Sequence, residues 1–501
     1  MFQILLVTVF YLLTINCISA GPKSIPLDNL YDKSSIIPVE FQKKDYGTFY
    51  YWYLKKYKKK PKIVYKLKAK MVSHIPKRDL KKFQQELGRT RYKTQNHAPF
   101  RYYDKSYKSR FLKGYEELED VFSGYKDYKL NEMYLKGVAE EFPELVSYFT
   151  LGKTHGGRDI PAIRISVNNL DESKASILFN CAHHANELVG TEHCYDIIYT
   201  LLNESEKFTK VLENVNVWVV PIVNPDGSYL FWYKSTIMGR KNGFLFPEQN
   251  PDYYGRGVDL NRNYPFKWNS GHPTASSAKR EHPFYRGVSP GSEPETQAMM
   301  GLVENERFVM SMSFHTFATR VLFPYTIEDT TNPQPDFAKE LTERIVKYAV
   351  SYSPTRKYEA VKNIYPVDGT DQDYFYFKYG TLALLTESSH KNIPYENVHF
   401  ILDGFRPSWK KFLSEYINGY KLILNIIDEE DNPVTAKVSI EEYVYSEGEE
   451  FTNNPLSGYF HRLFPDDSEY TLKIIAPEYK TEVLKFRPYK DFKVTTVVLK
   501  K

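Results

Sequence analysis

The sequence predicts an α/β fold, a mixed sheet flanked by helices, with an all-β sandwich after it, and three observations carry that prediction. Short and almost wholly apolar runs, Ala175–Asn180, Val215–Val223 and Phe308–Phe314, have the length and composition of strands buried on both faces. The stretch after the first of them, which holds Cys194, reads as a helix. Beyond Lys421 the pattern changes to short alternating runs, Leu422–Ile427, Ala436–Tyr443, Tyr470–Ile475 and Val494–Leu499, punctuated by the turns Asp431-Asn432-Pro433 and Phe464-Pro465-Asp466-Asp467. That is the pattern of an all-β module.

A chain of 501 residues, 42% hydrophobic and 26% charged, is globular in composition and exceeds one ordinary domain. At the start, the apolar run Ile4–Leu13 and the small-residue ending Ile18-Ser19-Ala20 before Gly21 read residues 1–20 as a secretory signal, although a basic flank is missing. A membrane anchor needs about 20 apolar residues, and this run is shorter and interrupted by Thr14, Asn16 and Ser19. No other segment reads as a bilayer span, so the mature chain is expected to be soluble and secreted.

Residues 21–109 form a basic region. Between Phe41 and Arg110 there are 22 Lys and Arg against 4 Asp and Glu, a local charge of +18 within a total of +5, which leaves −13 on the remainder. A basic segment docking on an acidic partner domain fits an inhibitory prosegment, with Lys58-Lys59-Lys60 or Arg89-Thr90-Arg91 as processing sites. Equally, Lys62–Met71 alternates like a half-solvated strand and Lys77–Gly88 like a helix, which fits a small accessory module. An anionic surface is a third partner for such charge. No base-reading motif accompanies it, so nucleic acid is not expected.

The chemistry concentrates between residues 110 and 418. His184-Ala185-Asn186-Glu187 follows the first buried run, and Ser313-Phe314-His315 ends the third, so two imidazoles and one carboxylate stand at strand exits, where α/β sheets build sites. Such a trio suits hydrolytic zinc: three protein ligands leave a fourth tetrahedral position for water, acidified to a pKa of about 7. A lone His-x-x-Glu in a chain with 12 His is weak, but Asn224-Pro225-Asp226-Gly227, Arg240, Gly257–Asn263, Ser292–Thr296, Tyr365 and Thr386-Glu387 surround it.

In this order and spacing the motifs resemble the zinc metallocarboxypeptidase family of pancreatic and regulatory carboxypeptidases. The resemblance covers roughly residues 110 to 418, from Tyr115-Glu116-Glu117-Leu118 through Leu151–Arg158 onward. It implies a mixed sheet of about eight strands, and one zinc ion held by His184, Glu187 and His315, with Asp259 accepting from a ligand imidazole. It further implies Glu387 as general base, Arg240 as the group that stabilises the oxyanion, and Asn261 and Arg262 as the clamp on the substrate's terminal carboxylate beneath Tyr365. A guanidinium fork takes a carboxylate in bidentate fashion, which lets Arg262 tell a chain terminus from an internal peptide. Residues 419–501 resemble the transthyretin-like sandwich that follows the catalytic domain in some secreted carboxypeptidases, with buttressing or surface attachment as its roles.

Several rival readings accompany these. Asp259, Asn261 and Asn263 suit turns after a Gly, and Tyr365 is one of 42 tyrosines. His155, His183, His193 and His390 read as surface or packing residues. In the side-chain pocket the resemblance places Gln372 where relatives that cut after basic residues carry Asp. The wall counterparts Leu322, Thr326, Ile364, Val367 and Leu385 are mostly apolar, so release of neutral or hydrophobic residues is expected. Asp371 beside Gln372 keeps a basic-specific carboxypeptidase as the alternative. A cell-wall peptide amidase and a non-catalytic peptide binder are rivals from other classes; Asn261-Arg262 speaks against the first and Glu387 against the second. Asn203-Glu204-Ser205 is a glycosylation acceptor. Cys181 and Cys194 read as two small buried thiols rather than a disulfide.

Overall fold

In the computed structural model, the described residues are 36–42, 46–58, 63–66, 70–76, 79–87, 92–94, 122, 124–167, 171, 173–234, 237–247, 249, 253–353 and 355–501. The signal segment, Arg89–Arg91, Lys59-Lys60 and Tyr115–Leu118 lie outside them. The chain divides into two compact units, residues 1–126 with 393–403, and residues 127–392 with 404–501.

The first unit contains β1 (Ile36–Gln42), α1 (Tyr46–Tyr57), β2 (Ile63–Lys66), β3 (Lys70–Pro76), α2 (Leu80–Leu87) and β4 (Tyr92–Thr94). Its antiparallel sheet runs β2-β3-β1-β4. Phe49 of α1, Phe83 of α2 and Ile75 of β3 are fully buried, and Trp52 packs edge-on against Phe83 at 5.1 Å. The alternation read as one strand over Lys62–Met71 spans two strands that pair with each other, because a hairpin reversal leaves period-two alternation intact.

The second unit opens with α3 (Tyr128–Glu141), β5 (Val146–Lys153), β6 (Asp159–Ile165), β7 (Ala175–Cys181), α4 (Leu188–Asn203), α5 (Thr209–Asn214), β8 (Val215–Val220) and α6 (Pro225–Tyr233). After a long loop come α7 (Pro294–Glu306), β9 (Met310–His315), β10 (Arg320–Leu322), α8 (Phe337–Val346), β11 (Ala360–Val361), α9 (Asp371–Tyr379), β12 (Leu382–Glu387) and α10 (Val398–Asn418), whose first turns belong to the first unit. These strands form one eight-stranded mixed sheet, β11-β10-β12-β9-β7-β8-β6-β5. The central four, β12, β9, β7 and β8, are parallel, and β7, β8 and β9 are buried at every position, the polar Ser176, Asn180, Asn216, Ser311, Ser313 and His315 among them.

One expectation fails here. Cys181, the last residue of β7, and Cys194, on α4, are joined in a disulfide. The helix folds back from the strand end and brings their Cα atoms to 6.5 Å, within bridging range, a proximity that a 13-residue separation in sequence does not reveal.

The remaining strands, β13 (Tyr420–Ile427), β14 (Lys437–Ile440), β15 (Tyr459–Phe464), β16 (Tyr470–Ile475), β17 (Glu482–Phe486) and β18 (Val494–Val498), form two three-stranded sheets, β15-β13-β18 and β14-β16-β17. Leu422, Leu424, Phe460, Ile440, Leu472 and Ile474 fill one core between them. A loop of this module ties back onto the eight-stranded part: Tyr325 donates to Glu449 at 2.8 Å, Lys267 pairs with Glu447 at 2.8 Å, and Gln334 and Val444 exchange backbone bonds. No helix among the described residues is long and apolar enough to cross a membrane.

Candidate active site

Adjacent parallel strands deliver the site. β9 and β12 run in register with His315 opposite Glu387, while β7 pairs Cys181 with Phe314, so the chain leaving β7 carries His184 and Glu187 to the same sheet edge. Glu187 stands at the N-terminal boundary of α4 without bonding its N–H groups, and the helix lies so close to β9 that a Cβ on Gly190 would meet the Phe314 carbonyl oxygen and the His315 carbonyl carbon at 3.0 Å. Thr316, which the sequence reading passed over, locks this approach: its hydroxyl accepts from Gly190 N at 2.9 Å and its own N–H donates to Glu187 Oε2 at 3.0 Å.

His184 Nδ1, a Glu187 oxygen and a His315 ring nitrogen all lie within 4.8 Å of one another, and all three residues are buried. Nδ1 of His184 is 2.8 Å from Glu187 Oε1; Nδ1 of His315 is 3.0 Å from Glu187 Oε2 and 3.2 Å from His184 Nδ1. Behind them, Asp259 Oδ1 stands 3.0 Å from His184 Nε2. With the N–H donated to Asp259, His184 turns its lone pair inward, against another ring nitrogen and a carboxylate. A cation resolves that crowding, and the Arg240 guanidinium is already drawn to it, with Nη1 3.3 Å from both His184 Nδ1 and Glu187 Oε1. Two imidazoles and one carboxylate, with no fourth His, Cys, Asp or Glu grouped with them among the described residues, match an open zinc site.

The electrostatics follow from this cluster. Burial would raise the Asp259 carboxyl, but Arg240, His184 and Arg262 outweigh it and hold it well below the usual carboxylate range. Glu187 behaves likewise: burial raises it, and His184 and His315 outweigh that and pull it well below its ordinary value. Glu387, at the end of β12, goes the other way. Burial and the neighbouring Glu187 carboxylate push it well above its ordinary value, against Arg240 and Arg262. His183 lies outside the cradle, bonded to Tyr264 Oη at 2.8 Å, and burial lowers it to about 4.

Around the cradle stand the other expected residues. Asn224 caps α6 through Gly227 N at 2.7 Å and donates to the carbonyls of His183 and Arg240 at 3.0 and 3.4 Å, which places the backbone of both. Arg240 grips Asp259 Oδ2 through Nη2 at 2.9 Å and Nε at 3.2 Å. Arg262 spends Nε and Nη1 on the carbonyls of Ala275 and Asn261, at 3.0 and 2.6 Å, and points Nη2 at Tyr365 Oη, 3.3 Å away. Asn261 Oδ1 accepts from Asp371 N at 2.9 Å, joining the Arg262 turn to α9. Gly369 makes that junction possible: its φ is +63°, and a Cβ there would sit 2.4 Å from the Arg262 carbonyl oxygen.

Gln372 is buried in the first turn of α9, and neither its Nε2 nor its Oε1 has a hydrogen-bond partner. Leu322, Val367 and Leu385 are buried, Thr326 spends its N–H and hydroxyl on Asp373, and Ile364 is 44% exposed. Asp371 accepts from Asn180 Nδ2 at 3.0 Å.

The model of the family described as zinc carboxypeptidase matches residues 131–415. Metallocarboxypeptidase A of Trichophyton tonsurans is 31% identical over 271 residues, 52% of this chain and 62% of that protein. Mast cell carboxypeptidase A of Homo sapiens is 26% identical over 276 residues, 53% and 64% of the two chains. The match thus spans less than two thirds of these relatives' length. Among solved structures, carboxypeptidase A from Helicoverpa armigera superposes with a TM-score of 0.53 at 20% identity over 75% of this chain and 96% of that one. Bovine thrombin-activatable fibrinolysis inhibitor gives 0.51 at 19% identity over 59% and 98%. With a family match over more than half its length and the donor set of an open zinc site at the parallel strand ends, the chain belongs to the zinc carboxypeptidase family.

Proposed function

We propose that the protein is a secreted zinc carboxypeptidase that hydrolyses the last peptide bond of peptides or proteins. One observation carries this reading: the convergence of His184, Glu187 and His315 at strand ends that also present Glu387, with Arg240 and Arg262 on the flanking loops. Arg262 Nη2 and Tyr365 Oη receive the terminal carboxylate, and Asn261 steadies the turn that holds the guanidinium. Burial beside Glu187 gives Glu387 a strong hold on a proton, which suits a group that takes one from attacking water and returns it to the leaving amine. Arg240 keeps its charge because Asp259 and Glu187 outweigh the cost of burying it, and offers that charge to the carbonyl oxygen as it becomes negative. Zinc, when held by the three ligands, supplies the Lewis acidity that makes water a usable nucleophile at neutral pH.

Release of neutral residues is part of this reading, since the family resemblance assigns Gln372 and mostly apolar wall residues to the side-chain pocket, and Asp371, the nearby acid, is tied to Asn180. Secretion is supported by the Cys181–Cys194 disulfide, which belongs in an oxidising compartment. Mass spectrometry of a peptide library varied at its last residue, incubated with the full zinc-loaded chain, tests the whole reading. Chelator-sensitive loss of single terminal residues, mostly neutral ones and absent in Glu387→Gln, is expected. Preferential loss of Lys and Arg would promote the basic-specific alternative. No cleavage of free-acid peptides would sink the carboxypeptidase reading in favour of an amidase or a binder.

A further inference from the structure

Two cations stand at the carboxylate end of the site, and one aromatic ring lies against both. The guanidinium carbons of Arg240 and Arg262 are 5.2 and 5.1 Å from the centroid of Phe284, and the Tyr365 ring lies nearly parallel to it, 6.0 Å away at 14°. Phe284 is half-buried in a loop that is itself pinned to the site. Phe284 O accepts from Ser277 N and Tyr285 O from Asp259 N, both at 2.9 Å, while Lys241 Nζ donates to the carbonyls of Arg280 and His282 at 2.8 and 3.0 Å.

We propose that Phe284 is a positioning residue: it sets the spacing of Arg240 and Arg262 and seats Tyr365, while leaving guanidinium N–H groups available to substrate. The argument rests on what each alternative would do to the forks. Arg240 is already bound by the Asp259 and Glu187 carboxylates; a further carboxylate at this place would also bind Arg262, whose partners are carbonyls and a hydroxyl, and occupy its remaining donors before substrate arrived. An aliphatic side chain would fill the space but give the two like charges nothing to lean on. An aromatic face attracts each cation through its quadrupole and consumes no hydrogen-bond donor. Arg262 already spends two donors on carbonyls, so the directions it has left depend on where its plane rests. Because the Phe284 loop hangs from Asp259 N, the ring is registered to the same residue that orients His184 and grips Arg240.

The inference rests on the roles proposed above for Arg240 and Arg262, and its test separates the two. Calorimetry on the full zinc-free chain would give the Kd of a free-acid tripeptide and of its C-terminal amide, and kcat and KM would be measured after zinc loading. The wild-type protein should prefer the acid. Phe284→Leu should weaken acid binding roughly 3- to 30-fold with little change for the amide, and lower kcat by a similar factor, whereas Phe284→Trp should stay within about 3-fold of wild type. Phe284→Met repeats the aliphatic arm should Phe284→Leu fold poorly. If wild type prefers the acid and both aliphatic variants match it, Phe284 has no such role; if Phe284→Trp is as weak as Phe284→Leu, ring electrostatics are not the cause. A wild-type protein that binds acid and amide alike would overturn this inference together with the reading of Arg262 beneath it.

Discussion

His184, Glu187 and His315 are 4, 3 and 2% exposed and sit at or just beyond strand ends, whereas Arg240 and Tyr365 come from loops and Arg262 from the short 3-10 turn Leu260–Arg262; Arg262 is as buried as the ligands, and Tyr365 is 43% exposed. The first set is placed by backbone. Parallel register puts His315 beside Glu387, and the turn out of β7 is closed by Val223 N and Asn224 N bonding to the carbonyls of Cys181 and Ala182 at 3.1 and 3.2 Å. The second set is placed by side chains: Asp259 holds Arg240, carbonyls hold Arg262, and Phe284 lies against both. A metal needs fixed donors, while the clamp proposed for a chain terminus would need groups that can shift. The contrast teaches that the two halves should fail differently when altered.

The largest effect should come from the inner half. His315→Ala is expected to strip zinc, read as metal content after dialysis, whereas Glu387→Gln should keep it and lower kcat about 10²- to 10⁴-fold, the usual worth of a positioned proton carrier. Equal zinc loss in both would break the distinction between ligand and base. Asp259→Asn should weaken zinc about 10- to 100-fold in a competition titration with a fluorescent chelator, by loosening the His184 ring. Next, Arg262→Lys should leave zinc affinity unchanged and cost about 1.5 to 3 kcal/mol in binding a free carboxylate, roughly 10- to 150-fold in Kd, since one ammonium cannot reproduce the fork. A change in zinc affinity there would merge the two halves.

Behind the outer half, Asn242 ties the loop that follows Arg240 to Glu293 at 2.6 Å and to Glu295 at 3.4 Å. Burial raises the Glu295 carboxyl to about 8. The folded protein therefore keeps, between about pH 4.5 and 8, a proton that the unfolded chain has released, and stability falls as pH rises through that window. Chemical denaturation should show Glu295→Gln gaining on wild type by up to about 1.4 kcal/mol per pH unit there; parallel curves would remove Glu295 from the account. The smallest effect concerns the module. Tyr325→Phe, which removes the donor from Oε1 of the buried Glu449 and leaves Oε2 with Glu447 N, should cost about 1 to 3 kcal/mol of stability and leave zinc affinity untouched.

Legibility in the sequence followed the same division. The buried parallel strands announce themselves as apolar runs, and the ligands sit at their ends, so the sheet and the cradle were readable from pattern, spacing and family resemblance. Arg240, Arg262 and Tyr365 were singled out by resemblance, but the ring that lies against both guanidinium groups was not. Phe284 lies far in sequence from Arg240 and Tyr365, and a Phe in a loop carries no motif. Thr316 sits beside His315, yet its two bonds depend on how closely α4 approaches β9. The Cys181–Cys194 bridge was misread for a related reason, since it depends on the direction in which α4 leaves the strand, a tertiary fact. The hairpin of β2 and β3 was read as one strand because alternation persists through a reversal of direction.

The most direct test of a cradle that activates and a clamp that reads a terminus is the rate at which the full zinc-loaded chain hydrolyses a peptide and its C-terminal amide, with and without chelator, beside Arg262→Ala. Chelator-sensitive cleavage of the acid, at least about 100-fold faster than of the amide, with most of that preference lost in Arg262→Ala, is the expected result. Equal rates on acid and amide, or cleavage that survives removal of the metal, would contradict the account.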